Sequence, residues 1–442
     1  VPNCRLWHIL KWGVVMGKYH LVGIKGTGMS ALAICLKQLG NEISGSDVEE
    51  RFFTSDALDI NNIEASLFDN SNITGDKTYI ISAAYDYKNV EVNEIMKRKL
   101  PYFYYHDFIE NYFTGIKIGI SGTHGKTTTT LLTTCLLSDF PLSAVIGDGT
   151  GIGTTDYKYF VFEACEYKNN FLQFNYDYLV INNIDFDHPD FFDDIEEVKM
   201  SFSKVSKKAK YLLINGDDDN TKDITHLNKY TFGFKETNFM RAEVLSKDEI
   251  GYKIAIHVDN KKYNYFLPFL GNHMIYNFMA SLLVYYLLNK DMNFVQEKLL
   301  KFKKPKRRME EYRFLDNVII DDYAHHPTEI KACLDGIRLK YPNKKVIVFF
   351  EPHTYSRTLA LAKEFSVCFD GVDELYLAKT FTSKREKYNA LLEKEIIKIF
   401  TFAKKFNQNT INKIIDYHDS IIVFMGAGNI RTNISKIISD KT

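Results

Sequence analysis

The stretch Gly119–Thr130, reading GISGTHGKTTTT, limits what this chain can fold into more than any other part of it. An apolar run, Ile116–Ser121, leads into a glycine turn. Lysine and a run of threonines then open a segment with helical spacing, Thr127–Leu137. A strand, a tight turn and a helix in that order form the phosphate-holding unit of parallel α/β proteins. The backbone N–H groups of such a turn and of the helix N-terminus converge on phosphate oxygens. Lys126 is placed to reach the β- and γ-phosphates, and the Thr127 hydroxyl to reach Mg2+. The spacing departs from G-x-x-x-x-G-K-[ST], because Ile120 stands where the first glycine belongs. An ordinary glycine turn is the plain alternative, but strand, turn, Gly-Lys-Thr and helix together argue against it.

Around this unit the chain reads as three α/β domains, the natural division for 442 residues. Residues 16–113 form a Rossmann-like N-terminal domain, with an apolar run Tyr19–Ile24, a turn at Gly26–Gly28 and a helix Ser30–Leu39; strands follow at Asn41–Ser46 and Thr78–Ser82. Residues 114–304 form the central ATP-binding domain, whose strands Tyr159–Glu163, Tyr178–Asn183 and Tyr211–Asn215 suit a mostly parallel sheet. Its later part carries an antiparallel patch, in which Asp259-Asn260 separates Tyr252–Val258 from Lys261–Leu267 as a hairpin turn would. A helix surrounds Tyr276–Leu288. After the basic stretch Lys301–Arg308, a linker and hinge, residues 305–442 form a Rossmann-like C-terminal domain with strands at Val318–Asp322, Lys345–Phe350, Glu374–Ala378 and Ile421–Met425. Residues 1–15 hold both tryptophans, Trp7 and Trp12, and match none of these elements. They lack the apolar core of a signal peptide, and the expectation is a leader outside the fold with a native start at Met16.

Charge and cysteine content exclude several classes. Lys plus Arg and Asp plus Glu both number 56, so no global field draws the chain to nucleic acid or an acidic membrane, and anionic ligands must be held locally. Six of the eight residues Lys301–Arg308 are basic, yet no aromatic platform accompanies them; a nucleic-acid role is not expected. The six cysteines are scattered without a CxxC pair, which suits a reducing compartment. No run of eighteen apolar residues suggests a membrane span, and the expected location is the cytoplasm.

Several further segments, in order, resemble those of the Mur ligases: GTHGKT at Gly122–Thr127, YFVFEACE at Tyr159–Glu166, INNIDFDHP at Ile181–Pro189, LGNHMIYN at Leu270–Asn277, PKRRM at Pro305–Met309, DDYAHHPT at Asp321–Thr328 and EPHTYSRT at Glu351–Thr358. The resemblance covers nearly the whole chain from Met16 and is nearest to the members that add L-alanine. It implies ATP as cosubstrate, held by Gly122, Thr123, His124, Gly125, Lys126, Thr127 and Thr128, with Asn277 at the adenine and Arg308 and Asp322 gripping phosphates and ribose. It implies Mg2+ on Thr127, Glu166 and His188, with Lys126, Glu166, His188 and Arg308 as the catalytic set. Tyr323, His325 and Arg357 match positions that receive the incoming amino acid. The implied reaction activates the lactyl carboxylate of UDP-N-acetylmuramate as an acyl phosphate, which the amine of L-alanine attacks. A homo-oligomer is compatible with the sequence and not required by it. Three positions depart from the family pattern: Met274 and Thr354 replace an asparagine and an arginine, and Asn429 replaces the aspartate of a Gly-Ala-Gly-Asp turn.

The N-terminal turn admits two ligands. Gly26-x-Gly28-x-x-Ala31 with Asp47 nineteen residues beyond Gly28 matches a dinucleotide fingerprint. In the Mur ligases a similar turn receives the diphosphate of the UDP-sugar, and Gly26, Thr27, Gly28, Met29 and Ser30 fit that pattern, with Asp47 near the nucleotide. The alternatives are therefore a recycling ligase that adds a preformed tripeptide, an NAD-dependent dehydrogenase, and a non-catalytic UDP-sugar-binding regulator. The dehydrogenase leaves the second phosphate turn unexplained, and Lys126, Glu166 and His188 argue against the regulator.

Overall fold

The computed structural model describes residues 16–382 and 386–439, so the expectation for residues 1–15 lies outside the described residues. The chain is α/β with three sheets. It divides into two compact units: one holds the residues up to Ile184 with Lys199–Arg241 and Asn277–Phe302, and the other holds Asp185–Val198, Ala242–Tyr276 and the chain from Lys303 onward.

The first unit opens with a five-stranded parallel sheet of β1 (Lys18–Val22), β2 (Glu42–Asp47), β3 (Ala65–Leu67), β4 (Thr78–Ile81) and β5 (Tyr102–Tyr104), ordered β3-β2-β1-β4-β5. Its order reverses at β1, where ligands of open α/β sheets bind beyond the strand ends. The helix Thr27–Gln38 starts at that point.

The same unit contains β6 (Ile116–Ser121), β7 (Leu142–Val145), β8 (Gly151–Ile152), β9 (Tyr159–Glu163), β10 (Tyr176–Ile181), β11 (Ala209–Asn215), β12 (Lys229–Gly233) and the start of β13 (Met240–Lys247). Their order is β13-β12-β11-β10-β6-β9-β7-β8, parallel except for the β7–β8 pair. The phosphate-type helix Lys126–Leu136 follows β6, as the sequence requires. The backbone of β8 lies directly on the helix Thr27–Gln38. A Cβ added at Gly151 would stand 2.1 Å from the Ala31 carbonyl oxygen, and one at Gly153 would stand 2.2 Å from that of Cys35, so only glycine permits this approach. The Cys35 thiol donates to the Ile152 carbonyl at 3.0 Å and the Gly153 N–H to Gln38 Oε1 at 2.8 Å, fixing the N-terminal sheet's first helix to the central layer.

In the second unit, β14 (Tyr252–Val258) and β15 (Lys261–Leu267) form the antiparallel hairpin, with Val258 opposite Lys261. Asp259 and Asn260 both adopt positive φ, 45° and 58°, the two-residue turn that the Asp-Asn pair predicts. The C-terminal sheet contains β16 (Glu310–Phe314), β17 (Asn317–Asp322), β18 (Lys345–Phe350), β19 (Glu374–Leu377), β20 (Lys404–Lys405) and β21 (Ser420–Met425), ordered β16-β17-β21-β18-β19-β20. Only β16 runs antiparallel. Its strands are apolar on both faces. Val318, Ile320, Val346, Val348 and Val423 pack against the helix Pro327–Lys340, while Ile319, Ile347, Phe349, Ile422 and Phe424 pack on the opposite side with Ile414 and Ile434. Continuous apolar strands are what a sheet covered by helices on both faces needs.

Candidate active site

Within the first unit, Gly125 takes φ +81° as the residue before the helix Lys126–Leu136, and Gly122 takes φ +127°. These conformations turn the chain sharply enough to leave the helix's first N–H groups unpaired by the helix itself. The Lys126 ammonium curls over the turn. It donates to the carbonyls of Gly122 at 2.5 Å and Thr123 at 3.0 Å and to Glu166 at 3.2 and 2.9 Å. Burial works against the charge, but Glu166, Cys165 and Glu163 together outweigh it and hold the ammonium above its ordinary pKa. The Glu166 side chain is 2% exposed, so this pair stands largely out of water.

A second carboxylate, Glu163, closes the other side. It ends β9, and its Oε1 accepts the Gly147 N–H at 2.6 Å. Burial raises its pKa; the Gly147 N–H, Lys126 and the Thr127 hydroxyl offset part of that rise. Glu163 was not singled out in the sequence, although YFVFEACE contains both acids: three residues apart at a strand end, they cannot be told apart by spacing. Asn182 and Asn183 were also missed. Asn183 Oδ1 accepts the His124 N–H at 2.8 Å, its carbonyl accepts the Thr123 N–H at 3.1 Å, and Asn182 Nδ2 donates to Thr129 Oγ1 at 2.9 Å. These two residues follow β10 and brace the turn from below. Asn277 comes to it from the helix Asn272–Leu287; a Cβ on Gly125 would lie 2.4 Å from its Oδ1. Thr128 is buried in the helix, and Thr127 remains half-buried beside Glu163.

The N-terminal turn is in the same unit. Ser46's carbonyl accepts the N–H groups of Gly23 and Ile24 at 2.8 and 3.1 Å. Asp47 accepts the Lys25 N–H at 2.8 Å and the Tyr85 hydroxyl at 3.1 Å and is 3% exposed, so its carboxylate shapes the turn from inside. Gly26 and Thr27 are exposed, Gly28 is half-buried, and Met29 and Ser30 are buried with the helix.

The second unit holds the remaining expected residues. Arg308 lies 3.6 Å from Glu329, and its guanidinium stands over the Tyr323 ring at 5.6 Å. Asp322 accepts the N–H groups of Met309 and Ala324, both at 2.8 Å; burial raises its pKa, and Arg308 opposes that rise. His325 packs edge-on to Tyr323 and His353, with centroids 5.3 and 5.4 Å away. Burial, reinforced by Arg357, pushes its pKa down to about 3, so it is neutral at physiological pH. His326 instead caps the helix Pro327–Lys340.

Arg357 departs from a simple amino-acid receptor. Its Nε and Nη2 donate to Asp187 at 2.6 and 3.3 Å, and its Nη1 meets His353 Nδ1 at 2.8 Å. The forked geometry is that of a strong guanidinium–carboxylate pair. His188, beside it, has φ 59° and lies 3.8 Å from the same carboxylate. Burial alone would raise the Asp187 pKa; His188, Arg357 and His326 reverse that and hold it well below the usual carboxylate range. The loop that the sequence reading assigned to metal binding is thereby tied to the C-terminal sheet's helices.

Models of one protein family match most of the chain. The Mur ligase family catalytic domain matches residues 18–114, the Mur ligase middle domain 120–285, and the Mur ligase glutamate ligase domain 307–428. The chain belongs to the Mur ligase family, whose members are ATP-dependent ligases that form amide bonds in peptidoglycan synthesis. Among solved structures it is similar to the UDP-N-acetylmuramate–alanine ligase MurC of Thermotoga maritima, with a TM-score of 0.79, 22% identity and coverage of 96% of this chain and 99% of that one. A murein peptide ligase of Psychrobacter arcticus gives a TM-score of 0.72 at 19% identity, covering 96% and 98%. MurF of Acinetobacter baumannii gives 0.64 at 15%, covering 85% and 92%. No helix among the described residues is long and apolar enough to cross a membrane.

Proposed function

We propose that this ligase joins L-alanine to the lactyl carboxylate of UDP-N-acetylmuramate, with ATP converted to ADP and phosphate. The observation that carries the reading is a single compact unit holding both the Gly26–Ser30 turn and the Lys126 turn with its paired acids. One turn takes the UDP-sugar diphosphate, the other the ATP phosphates. A carboxylate is a poor electrophile until one oxygen is phosphorylated, and Lys126 stabilises the charge on the γ-phosphoryl group as it moves. The incoming amino acid is received by the neutral His325 with Tyr323, and Arg357, which is forked on Asp187, orients that side of the site. His325, kept unprotonated by a pKa near 3, offers a ring lone pair as a hydrogen-bond acceptor to the incoming ammonium.

Mg2+ fits the donors: a threonine hydroxyl and buried carboxylates are the hard oxygens it favours. Of the ligands that the resemblance assigns, Thr127 and Glu166 lie together in the first unit, and the contact of Thr127 with Glu163 adds that second acid. When bound, the ion would neutralise phosphate charge. Glu163→Gln should raise the Mg2+ concentration needed for half-maximal ADP release by at least the roughly tenfold that loss of even an outer-shell partner costs. An unchanged Mg2+ dependence would remove Glu163 from the donor set.

The acceptor is tested by ADP release with UDP-N-acetylmuramate and either L-alanine or the murein tripeptide. L-alanine should give the larger kcat/KM, with glycine and L-serine weaker because one methyl or hydroxyl changes affinity only modestly. A larger kcat/KM with the tripeptide would move the chain to the recycling reaction.

A further inference from the structure

The reaction as described leaves Tyr105 unused. It opens the helix Tyr105–Tyr112, directly after β5. Its hydroxyl abuts the second glycine of the N-terminal turn: a Cβ added at Gly28 would stand 2.8 Å from Tyr105 Oη and 3.0 Å from the adjoining ring carbon. Gly28 has no positive φ, and the Tyr105 phenol is what a side chain there would meet first. Among the described residues, no group of the protein is hydrogen-bonded to the Tyr105 hydroxyl. Its oxygen is not enclosed, so it is open to a ligand. Burial raises its pKa first and the nearby Glu163 raises it further, so the group stays protonated and acts as a donor.

The surrounding backbone indicates what it donates to. Ser30 N–H is already spent on the Gly26 carbonyl at 2.8 Å, whereas the N–H groups of Thr27, Gly28 and Met29 belong to the first turn of a twelve-residue helix and have no partner in the helix itself. These N–H groups favour an anion on the helix axis. The Tyr105 hydroxyl reaches the same glycine from the side. We propose that Tyr105 is a substrate-binding residue whose hydroxyl donates a hydrogen bond to the diphosphate of the UDP-sugar on the Gly26–Ser30 turn. This contact rests on the functional reading given above. It makes the N-terminal site a cradle of backbone donors with one neutral side-chain donor, placed on the side facing Glu163.

The test is titration calorimetry of the full-length wild type and Tyr105→Phe with UDP-N-acetylmuramate and, separately, with UDP, both without ATP. The variant keeps the ring against Gly28, and its thermal midpoint should match the wild type. Affinity for both nucleotides should fall by the same factor, about 10- to 100-fold, the effect of one hydrogen bond to a charged group. The KM for ATP should not change, which separates a direct contact from general loosening of the unit. Unchanged affinity for both nucleotides would overturn the proposal. So would a loss confined to UDP-N-acetylmuramate, since it would put the contact on the sugar. If the wild type binds neither nucleotide, the functional reading itself fails, and that outcome is visible without the variant.

Discussion

Lys126→Ala should lower ADP release by about 10²–10³-fold or more, the usual cost of removing a group that stabilises charge in a transition state. The variant has a second consequence. Glu166 loses the Lys126 ammonium while 2% exposed, and breaking one side of a buried pair costs about 3–5 kcal/mol. Activity and stability therefore need to be separated. The double variant Lys126→Ala/Glu166→Gln removes the buried negative charge as well, so it should recover most of the thermal midpoint and none of the ADP release. On the proposed reading UDP-N-acetylmuramate should bind all these proteins, because the substitutions leave the Gly26–Ser30 turn and its brace Asp47 untouched. Near-normal ADP release by Lys126→Ala, measured at saturating ATP and Mg2+, would contradict the phosphate assignment.

Arg357→Ala should be among the most destabilising substitutions in the second unit, again by about 3–5 kcal/mol, because it leaves Asp187 charged and enclosed. The pH dependence gives this pair a signature. The folded pKa of Asp187 is depressed, so its stabilisation is complete above the unfolded carboxylate value of about 4 and is lost as pH falls through the lower folded value. Asp187→Asn should thus flatten the acid limb of the stability curve, while both proteins keep the same slope near neutrality. Chemical denaturation at a series of pH values measures this; an acid limb unchanged in Asp187→Asn would show that the carboxylate's charge contributes nothing.

Much of the architecture was legible locally. The hairpin Tyr252–Val258 with Lys261–Leu267 and the strand Lys345–Phe350 were read with the bounds they adopt, because alternation, a two-residue turn and an unbroken apolar run are properties of neighbouring residues. Helix starts were displaced by a few residues: the helix around Tyr276 begins at Asn272. The shape of the candidate phosphate turn was legible because one motif carries it: Gly122 and Gly125 adopt positive φ and the helix opens at Lys126. The site was not legible where the partner is distant in sequence. Arg357 and Asp187 are 170 residues apart, and nothing near Arg357 marks it as a partner of INNIDFDHP. Glu163 escaped for another reason: its role depends on which of two nearby acids meets Thr127, and side-chain direction at a strand's end decides that.

The five-fold interleaving of the two compact units has a practical consequence for anyone wishing to cut or graft this enzyme. The chain passes from one to the other after Ile184, Val198, Arg241, Tyr276 and Phe302. A fragment ending near residue 304 would keep Asp185, Phe186 and Asp187 but discard Thr328, His326 and Arg357, which hold them through contacts of 2.7, 3.1 and 2.6 Å. Such a fragment should expose a raw loop rather than a finished surface. A chimera that imports another C-terminal domain would therefore have to bring the segment Asp185–Val198 along with it, with breakpoints on both sides of that segment.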